Sequence, residues 1–223
     1  MHAQEVNLKS RHEFIAAYLS RSAEVITHTG ESCIESIAQA AHIITECFEN
    51  NGKLMICGNG GSAAESQHMA AELTHRLSAA VEWRALPAIA LTTDTSLLTE
   101  CADDYGFESI FKRQIEALGR SGDVLLGIST SGSSANVVAA MRQARKQDLK
   151  TLALVGSSGE MVTLADCAIC IPDADPQSIQ EAQLVVIHIL CAIVEQGIVI
   201  PQSDERAAVI DQVKRINPTE SLA

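Results

Sequence analysis

The chain has 223 residues, of which 47% are hydrophobic but only 3% aromatic, and a formal net charge of −12. Such a length holds one large domain or two small ones, with a core built from Ala, Leu, Ile and Val rather than from rings. The charge argues against nonspecific binding to nucleic acid, which needs a basic face; an anionic ligand would need a helix N-terminus or a metal ion to offset the overall field.

Apolar residues at helical spacing (Phe14, Ala17, Tyr18; Ile34, Ile37, Ala41, Ile44) predict helices over about residues 5–28 and 31–50, the second ended by Asn51 and Gly52. From there strands and helices alternate. KLMIC runs into a helix over 62–79, PAIAL into short helical pieces covering 95–118, and DVLLGIS into a helix over 133–146. TLALVG leads to a short helical turn, and CAICIP to a long apolar helix over about 179–197. This alternation predicts an α/β fold, a doubly wound parallel sheet with helices on both faces. The two leading helices have no strand between them and are expected to form a helical hairpin outside the sheet, against the domain or another subunit. Residues 1–50 are then a helical extension, 51–200 the α/β domain, and 201–223 a tail with room for a short helix.

Seven cysteines, an odd number, show no disulfide-like framework, and the opening MHAQEVNLKS carries no secretion signal. No apolar run approaches the roughly 18 residues needed to span a membrane. The expectation is a soluble, cytoplasmic protein with neither a membrane nor a nucleic acid as partner. Cys167 and Cys170 form C-x-x-C, but on a strand residues three apart point to opposite faces, so a structural role is expected.

Two strand-to-helix corners carry the chemistry. The first, CGNGGS, spans Cys57 to Ser62. Gly58, Gly60 and Ala63 satisfy G-x-G-x-x-A, yet the acidic residue is expected about 20 positions on, at the end of the second strand, and that end falls near Asp94, far beyond this spacing. Glu82 has the spacing but lies in a loop, and no Gly-Lys-Ser/Thr follows to make a phosphate loop of the Walker type. The second corner, ISTSGSSANV, crowds Ser129, Thr130, Ser131, Ser133 and Ser134 around Gly132. Both corners belong at the carboxyl edge of a doubly wound sheet, where ligands bind. Free N–H groups at a helix start, joined by hydroxyls, hold a phosphate without a lysine.

Four further residues stand out. His68 and Glu72, four apart, share a helix face. Gln180 and His188 lie on the last apolar helix about 80° apart around its axis. Spacing alone leaves His188 open as a satisfied core histidine, and cannot show that the two helices meet.

The stretches CGNGGSAAESQHMAAELTHR, LTECADDYGF, GDVLLGISTSGSSANV and IQEAQLVVIHIL resemble the successive motifs of the bacterial phosphoheptose isomerases, which belong to the sugar isomerase (SIS) domains. The resemblance runs from about residue 30 to 197. It implies a SIS-type, flavodoxin-like sheet and conversion of sedoheptulose 7-phosphate to D-glycero-D-manno-heptose 7-phosphate through a cis-enediol. That reaction opens the synthesis of the ADP-heptose precursor of lipopolysaccharide. It further implies a phosphate on Ser129, Thr130, Ser131 and Ser134, and a sugar near Asn59, Gly60, Gly61, Ser62, Asp103, Asp104 and Gln180. One zinc ion per site would rest on His68, Glu72, Gln180 and His188, with Glu72 and His188 as the proton-transfer pair. The resemblance also implies a homotetramer with active sites shared between subunits, so that His188 of one chain is expected at Glu72 of another. Three residues depart from the family pattern: Asp103 stands for an asparagine, Glu65 for an aspartate and Ser178 for an arginine. Two alternatives follow, an isomerase of another sugar phosphate and a non-enzymatic SIS regulator that binds a protein such as the replication initiator.

Overall fold

A computed structural model describes residues 2–75 and 85–198, with residues 2–9 described by backbone only. Helix α1 (His2–Ser32) meets α2 (Ile34–Glu49) at the single residue Cys33. Backbone bonding runs on through this bend, Cys33 N–H to Thr29 C=O and Ile37 N–H to Cys33 C=O, both at 2.9 Å. The leading helices therefore lie outside the sheet as expected, joined by a bend of one residue.

The alternating part follows: β1 (Leu54–Gly58), α3 (Gly61–Thr74), β2 (Ala88–Ala90), α4 (Thr95–Tyr105), a 3-10 turn (Phe107–Ser109) and α5 (Ile110–Leu118). Then come β3 (Val124–Ser129), α6 (Ala135–Lys146), β4 (Lys150–Val155), α7 (Glu160–Leu164), β5 (Cys167–Cys170) and α8 (Pro176–Ile198). The last residues of the expected helix over 62–79, Glu82, and the tail over 201–223 lie outside the described residues.

All neighbouring strands are parallel, in the order β2-β1-β3-β4-β5. Strands β1 and β3 are buried along their whole length, as a sheet covered on both faces requires. Side-chain alternation divides the core. Leu54, Ile56, Leu126 and Ile128 face the side covered by α2, α3 and α8; Met55, Cys57, Leu125 and Val155 face α4 to α7. Cys167 and Cys170 fall on opposite sides of this division, both as free thiols. The order of strand addition reverses between β1 and β3, so the carboxyl ends of these two parallel strands flank the crevice where such sheets bind ligands.

Helix α8 corrects one expectation. By length and composition its 23 residues, with a mean hydropathy of 1.5 over its best window, suffice to cross a membrane. Counting uninterrupted apolar residues misses this because Gln180, Glu181, Gln183 and His188 break the run. It is a core helix: Ile179, Ala182, Val186, Ile187, Leu190 and Val194 are buried in the cluster shared with α2 and α3.

Candidate active site

Each corner sits where the sheet's direction reverses. At the end of β1, Asn59 and Gly60 turn the chain into α3, and Ser62 N–H donates to the Asn59 carbonyl at 3.0 Å. What comes close to this glycine-rich backbone is a side chain of α8. A Cβ on Gly61 would lie 1.7 Å from Gln180 Nε2, so only glycine leaves room for that amide. Asp94, weighed against a ribose-binding role, instead caps α4 by accepting from Leu97 N–H at 3.0 Å.

At the end of β3 the hydroxyls converge. Ser129 Oγ stands 2.9 Å from Ser134 Oγ and 3.3 Å from Ser131 Oγ, beside the free N–H groups that open α6. Gly132 has φ +63°, and a Cβ there would stand 2.2 Å from the Ser158 carbonyl oxygen. The loop between β4 and α7 thus braces the corner: Met161 N–H donates to Gly132 C=O at 2.9 Å and Gly156 N–H to Thr130 C=O at 3.2 Å. Sequence reading stopped at Ser134 and missed Asn136. That residue is 2% exposed and forms a reciprocal amide pair with Asn59, each Nδ2 donating to the other's Oδ1 at 2.8 Å. The available signal was an amide on the first turn of the helix that leaves the hydroxyl corner.

Helices α3 and α8 of one chain run side by side and close a cleft of about 630 Å³, lined by Tyr18, Gly61, Glu65, His68, Gln180 and His188 among others. His68 Nε2 lies 2.9 Å from His188 Nε2, with the rings edge to face, and 3.9 Å from Glu72 Oε1. Glu72 Oε2 is buried without a hydrogen-bond partner. Within one chain, His68 and His188 already meet without a second copy. The two helices are neighbours within one chain, and His68 bridges the expected pair.

Two imidazoles and a carboxylate with a spare oxygen form a donor set that suits zinc, and Gln180 supplies a neutral oxygen from the same cleft. Among the described residues no three His, Cys, Asp or Glu side chains stand close enough, as placed, to ligate one ion. For the two histidines alone the discrepancy is small. Nitrogens sharing a tetrahedral zinc are about 3.3 Å apart, against 2.9 Å here, so a rotation of the exposed His188 ring opens the space.

Glu65 is 6% exposed, and neither carboxylate oxygen has a well-formed hydrogen bond. Burial pushes its pKa up to about 7, against a smaller lowering by nearby Ser62 and Gln180. Tyr18, from α1, donates to Glu181 Oε1 at 2.9 Å. Ser178 does not line the cleft; its hydroxyl and N–H both donate to Asp175 Oδ2 at 2.9 Å, capping α8. Asp103 and Asp104 are not brought to this cleft either. They are exposed near the end of α4, where Asp104 lines a separate groove with Glu100, Tyr105 and Arg113.

Residues 17–156 match the SIS domain model. The phosphoheptose isomerase of Helicobacter pylori strain P12 is 49% identical over 78% of this chain and 90% of that relative. Among solved structures, the phosphoheptose isomerase of Neisseria gonorrhoeae is 41% identical, with a TM-score of 0.77 over 83% of this chain and 98% of the other. That of Francisella tularensis is 36% identical, with a TM-score of 0.79 over 82% and 97%. By sequence, by fold and by the two corners, the chain belongs to the SIS domain family and, within it, to the phosphoheptose isomerases.

Proposed function

We propose that this chain isomerises sedoheptulose 7-phosphate to D-glycero-D-manno-heptose 7-phosphate in the cytoplasm, as an early step toward lipopolysaccharide heptose. The observation that carries the reading is the meeting of His68 and His188 in one cleft beside Gln180, with the partly unpartnered Glu72 against His68. The Ser129, Thr130, Ser131 and Ser134 hydroxyls and the start of α6 hold the phosphate. The sugar then extends along Asn59, Gly60, Gly61 and Ser62 toward the histidines.

Glu72 takes a proton from C1 and returns it to C2 of the cis-enediol. His188 moves the hydroxyl proton from O1 to O2, so that ketose becomes aldose with no net change in protons. His68, Glu72, Gln180 and His188 would hold the zinc ion. When bound, it supplies positive charge at the oxygen where the enediolate forms. A carboxylate bound tightly to a metal is a weaker base, so Glu72 would ligate loosely or in only part of the cycle.

Homotetramer formation is part of the proposal. Phe14, Ile15 and Leu19 on α1 are 68%, 53% and 65% exposed, an apolar stripe that a second copy would cover. Assembly would also give Asp103 and Asp104 a route to a neighbouring chain's sugar. A regulator of the same fold has no need of paired histidines beside an unpartnered carboxylate. Capping of α8 by Ser178, at the position where the resemblance implies an arginine, favours one second reading, an isomerase of a related sugar phosphate.

Turnover tests both. Purified protein incubated with sedoheptulose 7-phosphate in deuterated water should yield the aldose, followed by NMR, with deuterium at C2 to the extent that the proton on Glu72 exchanges with solvent before its return. Conversion of another ketose phosphate in its place would select the second reading, and conversion of neither would defeat both.

A further inference from the structure

The paired amides of Asn59 and Asn136 have no role in the chemistry described so far. Asn59 follows the last residue of β1 and Asn136 stands in the first turn of α6, so their pair spans the two strands at which the sheet reverses. Both bonds are 2.8 Å, and Asn136 Oδ1 also accepts from Val137 N–H at 3.0 Å. Asn136 is thereby fixed from two sides and almost wholly buried, whereas Asn59 is half-buried at the mouth of the sugar corner. A buried amide held this way is rigid, because breaking the pair leaves polar groups unsatisfied.

We propose that Asn136 is a positioning residue: through Asn59 it sets the distance between the corner that holds the phosphate and the corner along which the sugar runs. This rests on the isomerase reading above. One inter-helix amide ring joins the start of α6 to the turn that opens α3, the helix bearing His68 and Glu72. A substrate anchored by its phosphate presents C1 and C2 at a fixed reach. The separation of the corners therefore decides whether those carbons meet Glu72. Displacement by about 1 Å in such a frame costs on the order of 100-fold in rate. Asn59 accordingly serves the sugar with its backbone, while its side-chain amide is committed to Asn136.

The test uses the full-length protein and compares Asn136→Ala, Asn59→Ser and the double variant. The readouts are kcat and KM for sedoheptulose 7-phosphate, and binding of inorganic phosphate by calorimetry. Each single variant should lose about 10- to 100-fold in kcat, with phosphate affinity within about threefold of the parent. The double variant should lose no more than either single one, because both break the same pair. Should Asn136→Ala fail to fold, Asn59→Ser decides alone: a raised KM with kcat intact would make Asn59 a direct sugar ligand and overturn the proposal. Losses that multiply in the double variant, or an Asn136→Ala enzyme with near-parental kcat, would also overturn it. A parent protein that turns over no sedoheptulose 7-phosphate would instead count against the isomerase reading.

Discussion

The hydroxyl corner after β3 and the cleft between α3 and α8 solve opposite problems. At the corner three hydroxyls and the turn itself are braced before a ligand arrives: Ser129 touches Ser131 and Ser134, and Gly132 is locked against the β4–α7 loop. In the cleft, groups are held short of satisfaction. Glu65 and Glu72 keep buried oxygens without partners, and two imidazoles face each other nitrogen to nitrogen. A site that only grips can be complete on its own. A site that must take up a proton and a metal keeps unsatisfied groups in readiness, at a cost in stability.

The largest expected effect lies in the cleft. Glu72→Gln and His188→Gln should each lower kcat by about 100- to 10,000-fold while the protein stays folded, measured by steady-state turnover and circular dichroism. Near-normal kcat in either variant would remove that residue from the proton-transfer pair. At the corner, Ser129→Ala should raise KM rather than lower kcat. Loss of one hydrogen bond to a charged phosphate costs about 1.5–3 kcal/mol, or roughly 10- to 150-fold. A fall in kcat with unchanged KM would move Ser129 out of the phosphate site.

Two glycine substitutions sharpen the contrast. In Gly132→Ala the new methyl meets backbone at the Ser158 carbonyl, and φ +63° is strained for alanine, so the protein should lose more than about 1 kcal/mol in urea denaturation. In Gly61→Ala the methyl meets only the end of the Gln180 side chain, which can swing away. Stability should then change little, while zinc affinity by competition with a chelator falls about 10- to 100-fold. Equal destabilisation of both variants would erase the distinction between a braced corner and an adjustable cleft.

The smallest effect is a pH dependence. In the fold Glu65 titrates near 7, and its ordinary value is 4.5. Between these values the folded chain keeps a proton that the unfolded chain has lost. Stability therefore falls as pH rises from about 4.5 to 7 and stays lower above. Glu65→Gln removes this dependence. In chelator-treated protein its advantage over the parent should grow by an order of 1–3 kcal/mol between pH 5 and pH 8. A gap that stays constant with pH would mean that Glu65 is solvated.

These regions also differ in how far they could be read from sequence. The strands were legible because burial on both faces leaves continuous apolar runs such as LLGI, and the corner because five hydroxyls and a glycine are consecutive. The cleft was half legible. Helical spacing placed His68 over Glu72, and Gln180 and His188 on one side of α8. Nothing in spacing, however, says that α3 and α8 are neighbours within one chain. Asn136 escaped because an amide on a helix's first turn reads as an ordinary polar residue until its partner, 77 positions away, is seen beside it. Ser178 and Glu65 were visible as departures, but their burial and bonding come from tertiary packing.

The central claim is that the proton-transfer pair and its histidine bridge belong to one chain. Glu72→Gln and His188→Gln chains carrying different affinity tags can be co-expressed and mixed oligomers isolated through both tags in turn. The account predicts that the mixed assembly stays as inactive toward sedoheptulose 7-phosphate as either variant alone, because no chain holds both groups. Recovery of a substantial fraction of parental turnover would contradict it, since an intact pair could then form only between chains.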